Sequence, residues 1–71
     1  MRTLDSIGIG ETVTVREIKC RPRTRFYDLG ILPGSEITKL RASPKGDPVA
    51  YSVKGTVIAL RSSDARKIIV K

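Results

Sequence analysis

The sequence has no histidine, no tryptophan and a single cysteine, Cys20, in 71 residues. Without histidine the chain lacks the commonest general base and the commonest metal ligand. A lone cysteine can neither close a disulfide within the chain nor build a zinc or iron–sulfur centre by itself. Small secreted domains usually depend on such staples, so their lack points to a reducing, cytosolic setting. Apolar runs are short, and none nears the roughly 20 residues needed to cross a bilayer. The opening MRTLDSIGIG carries one arginine and no long apolar core, which makes a poor secretory leader. A GxxxxGK[ST] loop is missing, and Gly8-x-Gly10 lacks the third glycine and flanking elements of a dinucleotide fingerprint. The seven acids are scattered, with no D-x-D or E-x-x-E spacing. A hard-cation site from Asp28 and Asp47 would need a fold that joins them, and none is expected. No catalytic residue, no metal site and no cofactor are expected, and the chain does not read as an enzyme.

What is present is charge and β-forming sequence. Seventy-one residues make one domain, residues 1–71. A chain this short buries about 60% of its unfolded surface, so its core is small and a deep cavity is hard to house. Fourteen Lys and Arg against seven Asp and Glu give a net charge of +7. The densest basic run is Arg16, Lys19, Arg21, Arg23 and Arg25. It reads either as a docking face for phosphate or an acidic protein, or as the solvated side of a loop. A nucleic-acid platform would interleave aromatics with the basics. With only Phe26, Tyr27 and Tyr51 available, that reading is the weaker one.

Thr24 to Ser35, TRFYDLGILPGS, organises the chain. It reads as a short helix, a left-handed stop at Gly30 and a tight turn at Leu32-Pro33-Gly34-Ser35. Pro22 suits the first turn of that helix. Phe26 and Leu29, three apart, share a face and are expected in the core. Tyr27 then faces outward, and Leu32 is expected to protrude. Asp28 sits where the helix dipole disfavours an acid, so Arg25 or Arg61 is expected to compensate.

Before this stretch, Leu4, Ile7 and Ile9 belong to a turn or 3₁₀ piece ending at Gly10. Thr12 to Ile18 alternates as a half-buried strand, with a bulge or strand end at Ile18. After it, Ser35 to Ser43 is a strand whose apolar phase slips between Ile37 and Leu40, the mark of a bulge. Pro44-Lys45-Gly46-Asp47-Pro48 is a loop, with Asp47 bonding its own backbone. Val49 to Val53 and Thr56 to Arg61 form a hairpin about Lys54-Gly55. Ser62 to Ala65 offers a cap and one helical turn, and Ile68 to Val70 a last short strand. Five short strands with one bulged point to a mainly β fold, a partly open antiparallel barrel. A short α-helix lies between the first two strands and a helical turn before the last.

Arg25-Phe26-Tyr27-Asp28-Leu29-Gly30-Ile31-Leu32-Pro33-Gly34 resembles the R-L-x-x-L-G-hydrophobic-x-P-G signature of FeoA-like domains. Ala42 to Pro48 resembles A-P-x-G-D-P. Val53-Lys54-Gly55, then Ala59-Leu60-Arg61 with Asp64-Ala65 and Ile68-x-Val70, match in order. Leu4 and Gly10 fit the family's opening. Phe26 stands where leucine is usual and Ser43 where a basic residue or alanine is frequent. The resemblance covers nearly the whole chain. It implies an SH3-like small barrel and a cytosolic accessory of ferrous iron uptake, acting by contact with cytosolic regions of the transporter FeoB. Such a protein would reach the membrane only through that partner. Arg25, Tyr27, Asp28, Leu32, Lys45 and Asp47 are the expected contact residues. Gly30, Pro33, Gly34, Pro44, Gly46, Pro48 and Gly55 are expected to serve the turns. No nucleic-acid partner is expected, and weak self-association stays open. Two other readings are a basic nucleic-acid-binding barrel and a metal-responsive module related to the C-terminal part of DtxR-type repressors. In the latter, carboxylates or two Cys20 thiols shared by a dimer would hold the metal. The sequence carries no winged-helix portion, so a stand-alone repressor is not expected.

Overall fold

The computed structural model describes residues 2–19 and 23–71; expectations placed on Cys20, Arg21 and Pro22 lie outside the described residues. Strand β1 (Arg2–Thr3) leads into a 3₁₀ turn, Leu4–Ser6. There follow β2 (Thr12–Ile18), α1 (Thr24–Asp28), β3 (Glu36–Ala42), β4 (Val49–Val53), β5 (Thr56–Leu60), α2 (Ser62–Ala65) and β6 (Ile68–Val70). All six strands join one antiparallel sheet in the order β1-β6-β2-β3-β4-β5. The five strands and two helical pieces read from the sequence are present. The sixth, β1, has two residues, paired as Arg2 with Val70 and Thr3 with Ile69. Two residues are too few to show a period.

Two bulges curl the sheet. One lies between Val15 and Glu17 of β2, and Ile18 is the strand's last residue, the strand end expected there. The other lies between Lys39 and Arg41 of β3, where the apolar phase slips. A bulge adds one residue on one strand and increases local twist. The curled sheet wraps a core that includes Val13, Val15, Ile37, Tyr51, Val53, Leu60, Ile68 and Val70. Beyond the bulge, Leu40 is half-buried and Ala42 exposed, so of the three apolar positions of β3 only Ile37 is a full core residue.

The N-terminal excursion is fastened by polar contacts. Lys39 Nζ donates to the carbonyl of Ile7 at 2.9 Å and approaches that of Asp5 at 3.4 Å. Gly10 N–H donates to the Lys39 carbonyl at 2.6 Å. Glu11 accepts from the Gly8 N–H at 3.0 Å and from the Arg2 guanidinium at 2.6 Å. These contacts hold its carboxyl below the usual range, the Gly8 amide contributing most.

Candidate functional site

Helix α1 has five residues, shorter than the two turns expected, so it cannot stand by helical propensity alone. Its end is a Schellman motif. Gly30 N–H donates to the Tyr27 carbonyl at 2.9 Å and Ile31 N–H to the Phe26 carbonyl at 2.9 Å. Gly30 takes φ +87°, the left-handed conformation this closure demands. The motif also favours an apolar contact between the residues at its two ends, here Phe26 and Ile31, and both are fully buried. This corrects the expected core pair. Leu29 occupies the last helical-like position and is 37% exposed; Ile31 takes the core place instead. Tyr27 faces outward as expected, at 41% exposure.

The turn that follows closes with Ser35 N–H donating to the Leu32 carbonyl at 2.9 Å, with Gly34 at φ +95°. Ser35 locks it. Its hydroxyl donates to the Gly30 carbonyl and accepts from the Leu32 N–H, both at 3.1 Å. The turn is stitched to β2 by Gly34 N–H to Val15 O at 2.8 Å and Val15 N–H to Ser35 O at 2.9 Å. Leu32, expected to protrude, is half-buried by this closure, while Pro33 is exposed. Ser35 was not singled out from the sequence. A serine straight after Pro-Gly was the available signal, because its hydroxyl can satisfy turn backbone.

The basic run divides between structural and open positions. Arg23 Nε donates to the Ile18 carbonyl at 3.1 Å, tying the approach to α1 to the end of β2. Arg25 does not pair with Asp28. Its guanidinium meets Asp64 Oδ1 of α2 at 2.6 Å, and its central carbon lies 5.1 Å from the Phe26 ring centre. Asp28 is exposed, and among the described residues no arginine pairs with it. Arg16 and Lys19 are exposed.

The loop between β3 and β4 closes with Gly46 N–H to Ser43 O at 2.8 Å and Ser43 N–H to Pro48 O at 3.1 Å. Lys45 is exposed on it. Asp47 does not bond its own backbone. Its Oδ1 accepts from the Ser62 N–H at 2.7 Å and the Ser62 hydroxyl at 3.0 Å, at the start of α2. The residue before α2, Arg61, offers no side-chain cap, and Asp47 supplies the carboxylate from across the chain. So α2 lies between the two expected contact segments. Asp47 holds one end of it, and Arg25 grips its Asp64. Ser62 and Asp64 are thus part of the site's framework, and neither was singled out as a contact residue from the sequence. The arrangement can present Tyr27, Leu29 and Pro33 on a braced scaffold next to exposed basic side chains. Among the described residues, no three Cys, Asp or Glu side chains gather as metal ligands would. Among the described residues, no helix is long and apolar enough to cross a membrane.

Comparison with known proteins agrees with this geometry. The profile of the FeoA domain matches residues 2–71. The solution structure of the FeoA protein from Chlorobium tepidum is 30% identical with a TM-score of 0.91, covering 97% of this chain and 68% of that one. A zinc-complexed FeoA from Stenotrophomonas maltophilia, a prokaryotic SH3 domain protein, is 25% identical with a TM-score of 0.87, covering 100% and 91%. A manganese-dependent transcriptional repressor is 25% identical with a TM-score of 0.84, covering 97% of this chain and 40% of that one.

Proposed function

Since this chain belongs to the FeoA domain family, and so to ferrous iron transport, we propose that it is a non-enzymatic accessory protein that works by touching the cytosolic regions of the transporter FeoB. The observation that carries this reading is the surface of α1. Tyr27 and Leu29 stand 41% and 37% exposed on a helix held by the Arg25–Asp64 ion pair and the Ser35-locked turn. Apolar side chains on a rigid support next to basic ones form a usual protein-contact patch. The S. maltophilia relative is named as a candidate ferrous iron transport activating factor, which fits the same role. In the proposal, Arg25 and Asp47 serve by positioning α1 and α2. Tyr27, Leu29, Leu32 and Lys45 make the contact.

The test is an amide-shift titration with the transporter's soluble nucleotide-binding domain and, separately, with its terminal peptides. Shifts centred on residues 25–34, lost in Tyr27→Ala, are expected. A folded partner that perturbs neither this segment nor the 44–48 loop sinks the proposal. A second reading, a metal-responsive module, is supported by the likeness to the manganese-dependent repressor. Calorimetry with ferrous and zinc ions decides it: heat of binding with a defined stoichiometry would favour it over the contact role.

A further inference from the structure

Strand β5 is one end of the sheet and has a neighbour, β4, on one side. Its free side can be mapped residue by residue. The β4–β5 turn is Lys54-Gly55 with φ +53° and +79°, a two-residue hairpin of the primed kind. In such a hairpin the flanking residues, Val53 and Thr56, exchange hydrogen bonds, and bonded pairs recur at every second position. Tyr51–Ile58 and Val49–Leu60 are therefore bonded pairs, and Ser52–Val57 and Ala50–Ala59 are not. The N–H and C=O groups of Val57 and Ala59 consequently point away from β4. Among the described residues, no backbone group meets them.

Sheet edges are ordinarily blunted with lysine, proline or a bulge. β5 reads TVIAL, with no charge, no proline and no bulge, and Val57 is 58% exposed. Beside it lies a shallow groove of about 310 Å³. Its floor is the cross-strand row Arg41, Ala50 and Ala59, and the 43–48 loop walls one end. Ser43 Oγ, in that lining, is buried with no hydrogen-bond partner among the described residues. A strand laid along β5 would place every second side chain on the face of Val57 and Ala59, at the mouth of this groove.

We propose that the free edge of β5 binds an extended acidic segment of a partner protein as an added strand, with one side chain seated in the Arg41–Ala50–Ala59 groove. Charge selects this occupant. Lys54 precedes β5, Arg61 follows it and Arg41 lines the groove; Asp47, the nearby acid, is engaged by Ser62. A second copy is disfavoured by the same charges. Antiparallel self-pairing centred on Ile58 would set Lys54 of one copy opposite Ser62 of the other, one residue along the strand from its Arg61, at both ends, between two chains of net charge +7. Backbone pairing would supply affinity and the groove would supply choice of side chain. The inference stands on the sheet edge and needs no assumption about the transporter.

The probe is a seven-residue peptide alternating valine or threonine with glutamate, compared with its lysine counterpart, followed by amide shifts. Saturable shifts at Val57, Ile58 and Ala59 are expected, at least tenfold tighter for the acidic peptide and weakened by salt. Ala59→Pro removes an outward N–H without touching the β4 ladder, so it keeps the fold and abolishes binding. Val57→Glu, which sets a like charge beside the acidic peptide on the exposed face, gives the same loss should the proline variant fail to fold. Absence of shifts at β5 to millimolar peptide, equal binding of the lysine peptide, or full binding by a folded Ala59→Pro overturns the proposal. Concentration-dependent dimerisation that Ala59→Pro removes would also overturn it, by assigning the edge to a second copy.

Discussion

Asp47 separates a structural role from a contact role, and its removal has a calculable cost. Its Oδ1 takes two hydrogen bonds from Ser62, at 2.7 and 3.0 Å, at the exposed start of α2. Removing such a cap costs about 1 kcal/mol, within a range of roughly 0.5–2. The unfolding entropy of a 71-residue chain is about 150 cal/mol/K, so 1 kcal/mol lowers Tm by about 7 °C. Asp47→Ala is thus expected to lower Tm by about 7 °C in a thermal scan followed by circular dichroism. Asp47→Asn keeps an acceptor oxygen and should lose about a third of that or less, because asparagine caps nearly as well. Ser62→Ala removes one of the two bonds and should fall between. Arg25→Ala, made together with Asp47→Ala, probes the other grip on α2. Both residues act on one element, so the double variant should depart from additivity. An unchanged Tm in Asp47→Ala would refute the cap. An asparagine variant as damaged as the alanine would show that charge, and not hydrogen bonding, matters there.

Three further outcomes follow from the packing. Phe26→Ala should cost about 3–5 kcal/mol and Leu29→Ala less than about 1, because Phe26 is sealed and Leu29 open; denaturant titration compares them, and equal losses would contradict the placement of Ile31. Gly30→Ala should cost about 1 kcal/mol, because the left-handed backbone is unfavourable for alanine while its methyl would meet Val53 Cγ1 at an ordinary 3.7 Å; a neutral result would contradict the Schellman closure. The Tyr51 hydroxyl is pushed up to about 12 by burial and by the nearby charges of Asp5 and Asp47. Between pH 10 and 12 the folded chain therefore holds a proton that the unfolded chain loses, and stability is full below pH 10 and declines across that window. Tyr51→Phe should flatten this decline in denaturant midpoints measured against pH.

Much of the framework was legible from residue patterns. Val13 and Val15 alternate, Val49, Tyr51 and Val53 alternate, and the structure buries each of them. The phase slip after Ile37 and the Lys54-Gly55 turn also appear where the pattern put them. What escaped was interaction through space or through closure. Leu29 looked like core because a longer helix would place it one turn from Phe26. Five residues and a left-handed stop rotate the chain so that Ile31 takes that place. Asp47 looked like a local turn residue, because its true partner, Ser62, stands fifteen positions away on a helix of four residues. Arg25 could be paired in sequence with Asp28, yet the bond to Asp64 forms only once α2 is docked.

These misses share one cause, and it bears on how the surface works. In a chain of this size, helices of four and five residues have no stability of their own. Each must be held by groups from elsewhere, and the side chains that do the holding are polar and exposed, so they resemble contact residues in sequence. Arg25 and Asp47 belong to this class. A partner that competes for Asp47 or Arg25 would loosen α2, and through the Arg25–Asp64 pair it would shift the presentation of Tyr27. Substitutions at Arg25 and Asp47 should therefore weaken partner binding through the position of α1. Restoring the fold's grip, with Asp47→Asn for Asp47→Ala, should restore binding in step with Tm. Binding that stays lost in the asparagine variant at normal Tm would instead mark Asp47 as a direct contact.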